Sequence, residues 1–205
     1  MSPRTDASPQ RIAQIHHAAL VLFSRNGYHE TSMDDIVAES GLSKGTIYWY
    51  FRSKRALFRS LLRDTVDTRV QHWRDRVATC GDSAIEQIMV SLDYFRDNAD
   101  DMSTLSGVMI DGWELARNDA EMRLAFADAL APAHQMLHAI IQHGLETGEF
   151  RLRCSADSPF VVMSLIVGLL VRMGSQIWEH DWNSIIDCVQ ELMLHGLVVG
   201  ATRHA

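Results

Sequence analysis

The stretch Ser43–Phe51, SKGTIYWYF, sets a lysine, a glycine and a threonine beside the aromatic run Tyr48, Trp49 and Tyr50, with Phe51 after it. On a helix each residue advances the face by about 100°. With Ile47 directed inward, Phe51 falls close to it, and Lys44 and Tyr50 lie on the flanks. Gly45, Thr46, Tyr48 and Trp49 then fall on the far side. A tyrosine and a tryptophan presented outward, next to a glycine that lets something approach the backbone, require a partner. Double-stranded DNA meets the requirement. Its major groove admits a helix, hydroxyls bond phosphate oxygens, aromatic carbons touch thymine methyls, and lysine supplies charge or reads guanine. The competing expectation is that these aromatics are core for the long C-terminal helices.

The flanking residues supply the elements that would hold this helix. PQRIAQIHHAALVLFSRNG places Ile12, Ile15, Ala19, Leu22 and Phe23 at spacings of three and four, which predicts an amphipathic helix ending at Gly27. Thr31 precedes SMDDIVAES, a short helical run with a hydroxyl at the N-cap position and Asp34 three residues on, close to a capping box. Gly41 stops that run, Ser43 can cap the next, and two short helices meet across about three residues, which is helix-turn-helix spacing. Ser53 caps again, and Arg55 to about Thr79 reads as a long fourth helix.

FSRNGYHETSMDDIVAESGLSKGTIYWYFRSKRALF resembles the DNA-binding head of the TetR family of transcriptional regulators. The likeness lies in the aromatic-x3-Gly-Tyr entry, the Thr-Ser start of helix two, Ile36, the Gly-Leu-Ser turn, Lys-Gly-Thr-Ile-Tyr and the Tyr-Phe-x-Ser-Lys close. It implies an all-α chain of about nine helices, with a helix-turn-helix head over residues 1–53 and a ligand-binding and dimerising body over 54–205. It also implies a homodimeric repressor that binds a palindromic operator and is released by a small-molecule effector; an activator would use the same residues. Carried over by position, Thr31 and Ser32 would hold phosphate at the start of helix two, where free backbone donors favour an anion. Lys44, Gly45, Thr46, Tyr48 and Trp49 would meet the groove, and Tyr50 and Lys54 would each meet a phosphate. Arg55 and Trp49 depart from common family choices, an acidic residue and a smaller aromatic respectively. In the body, DGWELARNDAEMR and HGLETGEFR resemble the subgroup whose body is like that of the choline-responsive repressor.

The charge of the chain agrees with a basic head. The net value is −7, yet Met1–Arg76 carries 12 Lys+Arg against 8 Asp+Glu, and the remainder 7 against 18. Cys80, Cys154 and Cys188 are odd in number and far apart, which suits reduced thiols in a cytosol. No apolar signal core opens the chain, and FVVMSLIVGLLVRMG is interrupted by Arg172, so a soluble cytoplasmic protein with no membrane partner is expected.

The periodicity beyond Gly81 stays helical, with Pro132 expected to kink or split the run from 119 to 147. The last two helices, about 158–178 and 182–199, are apolar around more than one face. They are either the centre of the core or, as expected here, the surface that pairs two subunits. Met102, Leu105, Met109, Trp113, Met136 and Leu137 could bound an effector cavity, although such residues at helical spacing also make ordinary core. Asp111 and Glu114 beside Trp113 either suit a cationic ligand or form a solvated face. His134, His138 and His143 lack a second ligand cluster, Cys154 lacks a nearby histidine pattern, and the chain contains no Glu-x-x-His. No metal, cofactor or catalytic site is expected.

Overall fold

The computed structural model describes residues 8–151, 157–175 and 181–197. Cys154, residues 176–178 and residues 198–199, which figured in the expectations above, lie outside them. Nine helices occur among the described residues: α1 (Pro9–Glu30), α2 (Met33–Ser40), α3 (Lys44–Tyr50), α4 (Lys54–Val77), α5 (Ala84–Asp97), α6 (Ala99–Asn118), α7 (Ala120–Thr147), α8 (Ser158–Ser175) and α9 (Trp182–Leu197). The fold is all-α. The chain forms two compact units, one of Met1–Val66 with Gly107–Ala129, the other of Asp67–Ser106 with Leu130–Ala205. These units differ from a single cut at 53/54, because α4, α6 and α7 each contribute to both.

In the first unit α1 buries Ile15, Ala19 and Phe23 of the expected stripe together with Ala18, while Ile12 and Leu22 are half-buried. It breaks at Gly27, whose φ of 78° and ψ of 165° suit glycine and not a side chain with a Cβ. A further turn follows, and Thr31 closes it. The cap of α2 is therefore Ser32, one residue later than expected: Ser32 Oγ accepts from Asp35 N–H at 3.1 Å, and Asp35 Oδ2 accepts from Ser32 N–H at 2.8 Å. Gly41, with φ of 66°, ends α2, and Ser43 Oγ accepts from Thr46 N–H to start α3. Ile36, Ile47, Leu57, Phe58, Leu61 and Leu62 fill the centre. Each such side chain stabilises the unit by about 1.5–3 kcal/mol when fully buried. His16 joins α1 to α4, with Nδ1 3.2 Å from Asp64 Oδ2 and Nε2 3.0 Å from Ser60 Oγ. The corner between α6 and α7 packs closely in the same unit. Gly112 faces Phe126 so tightly that a Cβ there would lie 2.7 Å from Cε2. Asp119 caps α7 through the Glu121 and Met122 N–H groups, and Arg55 ion-pairs with Asp119 and Glu121.

In the second unit Trp73 Nε1 donates to Ser91 Oγ at 2.8 Å inside the core, joining α4 to α5. Arg96 of α5 bonds Asp187 Oδ1 and Gln190 Oε1 of α9 at 2.7 and 3.0 Å. α7 is one continuous helix through Pro132, which neither splits nor ends it. The ring removes the donor that would have met the Asp128 carbonyl and crowds that carbonyl, and the remaining turns of this long helix hold it on both sides. Phe150 lies over Gly144, where a Cβ would stand 2.2 Å from its ring. α8 buries Val162, Met163, Ile166 and Leu170 on one side, while Phe160, at 70% exposure, Val161 and Leu165 stand on the other. On α9, Ile186 and Met193 are buried and Leu192 and Leu194 exposed. No described helix is long and apolar enough to cross a membrane.

Candidate nucleic-acid interface

The outward face of α3 forms as the 100° rule requires. Ile47 and Phe51 are buried, Tyr48 and Tyr50 half-buried, and Trp49 stands 57% exposed. The aromatics are not core for the C-terminal helices. Trp49 and Tyr50 meet edge to face with centroids 4.7 Å apart, so each ring limits the motion of the other. Tyr50 Oη accepts from Ser8 N–H at 3.2 Å, which leaves its own hydroxyl proton to donate. Thr46 Oγ1 lies 2.8 Å from Ser43 Oγ, and Gly45 is open.

The structure redistributes the remaining expected contacts. The Thr31 hydroxyl is buried and donates to Gly27 O at 2.9 Å, so it closes α1 and does not offer itself at the surface. Ser32 stays exposed at the α2 N-terminus. Lys54 is occupied: Nζ donates to the carbonyls of Tyr28, His29 and Thr31 at 2.6, 3.1 and 2.7 Å and sits 4.4 Å from the centre of the Tyr28 ring. An ammonium has three donors, and all three are used. Burial holds its pKa below the ordinary lysine value. In this structure Lys54, expected at a phosphate, clamps the end of α1. Asp111 reinforces the same turn by accepting Tyr28 N–H at 2.9 Å, with burial raising its carboxyl pKa.

Two surface residues were missed. Asp34 Oδ1 lies 2.7 Å from Lys44 Nζ, and that hydrogen bond raises the lysine pKa. Sequence pattern assigned Asp34 to the capping box, which Asp35 completes. Arg52, exposed between α3 and α4, makes no hydrogen bond or ion pair among the described residues; its place beside the aromatic run was the available signal.

The residues expected around an effector fall in both units. Met109 is buried and Trp113 is 42% exposed in the first; Met102, Leu105 and Leu137 are buried in the second. Met136 lines an open groove of ≈ 700 Å³ in the second unit together with Arg74, Cys80, Pro132, Ile140 and His143. Burial raises the Cys80 thiol pKa, which disfavours its thiolate. No group of three His, Cys, Asp or Glu side chains comes together among the described residues.

A short capped helix pair with an aromatic, hydroxyl-bearing outward face, on an all-α scaffold, defines a helix-turn-helix transcriptional regulator. Residues 15–61 match the family described as bacterial regulatory proteins, tetR family, which supports a TetR-family regulator. Over 188 residues the chain is 24% identical to the fatty acid metabolism regulator protein of Bacillus subtilis, covering 90% of this chain and 94% of that one. The fold is shared with a transcriptional regulator FadR from Bacillus subtilis solved in complex with stearoyl-CoA (TM-score 0.78, 22% identity, 90% and 98% of the two chains). It is also shared with a transcriptional regulator from Saccharomonospora viridis solved in complex with choline (TM-score 0.79, 21% identity, 93% and 99%).

Proposed function

We propose that this chain is a homodimeric repressor that binds a palindromic operator and lets go of it when a small molecule occupies the body. The observation that carries the reading is the outer face of α3, where Trp49 stands exposed with Gly45 and Tyr48 is half-buried beside them, on a helix fixed by its own caps. In a two-fold dimer, two such helices about 34 Å apart enter successive major grooves. The exposed apolar side chains of α8 and α9 supply a surface for that dimer. An acyl-CoA is the effector class to test first, since the B. subtilis regulator solved with stearoyl-CoA shares the fold; choline is the natural contrast. Release then follows if the effector prefers a body conformation that separates the heads differently.

The test begins with a duplex recovered by the unmodified protein from a random-sequence library. The double variant Lys44→Ala, Tyr48→Ala should lose affinity for that duplex by at least about thirtyfold, as removal of base contacts requires, while sedimentation still shows a dimer. Undiminished binding would reject α3 as the reading helix. Stearoyl-CoA added to the unmodified complex should release the duplex where coenzyme A alone and choline do not.

A further inference from the structure

The ion pair between α2 and α3 carries an inference about how this interface chooses its sites, and it rests on the reading of α3 as the groove helix. Lys44 opens α3 with its ammonium 2.7 Å from Asp34 Oδ1 and 5.9 Å from the centre of the Tyr48 ring. Both side chains are well exposed, Asp34 at 69%. Asp34 has no capping duty, because Asp35 makes both hydrogen bonds of the α2 capping box. A solvent-facing carboxylate on a surface that meets a polyanion repels phosphate, so its presence needs a reason. Of the other cations near the α4 start, Lys54 is held by carbonyls, Arg55 by Asp119 and Glu121 and Arg59 by Glu121, while Arg52 lies in the turn outside α3. Lys44 is thus the cation on α3 itself, and Asp34 decides what it can do.

We propose that Asp34 is a specificity-determining positioning residue that holds Lys44 away from phosphate and directs it to base edges. An unrestrained lysine is a point charge on a flexible stem and binds any phosphate within reach, irrespective of sequence. Tethered by one carboxylate oxygen, the ammonium keeps two donors for the acceptor pair of a guanine, and the carboxylate itself accepts only from a base amino group, cytosine N4 or adenine N6, and never from a phosphate. The pair therefore lowers affinity for arbitrary DNA more than affinity for a matched site.

The experiment measures equilibrium binding of the full chain, across a salt series, to the library-recovered duplex and to a mixed-sequence duplex of equal length. The variants are Asp34→Asn, Asp34→Glu, Lys44→Ala and the double variant Asp34→Asn, Lys44→Ala. Asp34→Asn should raise mixed-sequence affinity on the order of five- to tenfold at 0.1 M salt and steepen its log–log salt slope by about 0.9, the increment for one more phosphate neutralised. Affinity for the recovered duplex should rise less, so the ratio of the two falls. Asp34→Glu should keep the ratio, and in the Lys44→Ala background the Asp34→Asn effect should vanish. An unchanged ratio in Asp34→Asn overturns the proposal. So does an equal gain in the Lys44→Ala background, which would make Asp34 a plain repulsive charge. If Lys44→Ala alone leaves binding to the recovered duplex untouched, the placement of Lys44 at the groove fails first, and the proposal with it.

Discussion

Two lysines, ten positions apart in the head, have opposite fates that their side chains alone do not announce. Lys44 stands in solvent beside one carboxylate, whereas Lys54 reaches back to three carbonyls at the end of α1. Lys54→Met keeps the length of the stem and removes every donor. It should cost about 1–3 kcal/mol of stability in urea denaturation, the penalty for acceptors left unpaired. The salt slope of DNA binding should not move. A slope shallower by about 0.9 would return Lys54 to the phosphate contacts. Thr31 belongs to the same cluster, since its hydroxyl bonds the carbonyl of Gly27 and its own carbonyl receives Lys54.

Helix ends carry much of the local definition of this fold, and one of them is sensitive to acid. Glu149, just beyond α7, accepts from Ser83 Oγ at 2.6 Å and from the N–H groups of Ala84 and Ile85, so it caps α5 from a distant loop. The Ser83 hydroxyl bond leads the causes that hold its carboxyl at about 2, followed in the same direction by those N–H groups and Thr147. A carboxylate with a depressed folded pKa stabilises above its unfolded value, near 4.3, and the contribution disappears as pH falls toward 2. Glu149→Ala should therefore lose about 1 kcal/mol at pH 7, the usual worth of a cap, and the gap to the unmodified protein should close between about pH 4 and pH 2. A gap that persists at pH 2 would assign the loss to packing. Gly144→Ala tests the neighbouring contact: a Cβ 2.2 Å from the Phe150 ring forces that ring aside. It should cost about 1–3 kcal/mol by thermal or urea unfolding, as overpacking does; an unchanged midpoint would show that the ring moves freely.

At the scale of the whole molecule, α8 and α9 present apolar side chains on two sides, and a single chain covers one of them. Phe160, Val161 and Leu165 on α8 and Leu192 on α9 are exposed, with Leu192 at 68%. The proposed dimer buries them. Leu165→Glu with Leu192→Glu should place unpaired charge in that interface and give a monomer in sedimentation, with affinity for a palindromic duplex falling toward that of a single half-site. A dimer that survives both substitutions would locate the pairing surface elsewhere.

Much of this fold was legible because its signals are local. Gly27, Gly41 and Ser43 act within about four residues of themselves, the apolar stripes of α1 and α4 repeat every turn, and the motif from Phe23 to Phe58 is unbroken. Where two adjacent residues could both cap α2, the choice between Thr31 and Ser32 fell to packing, because Thr31 was drawn inward against α1. Pro132 sat inside a helix that its neighbours carried through. Chain order set the helices, their caps and the aromatic face of α3. The tertiary structure decided which cations remain available and which apolar side chains stay uncovered. A cap is satisfied by the residues next to it, whereas an ammonium is satisfied by whatever carbonyl or carboxylate folding brings near, and for Lys54 those carbonyls lie 23 to 26 residues away.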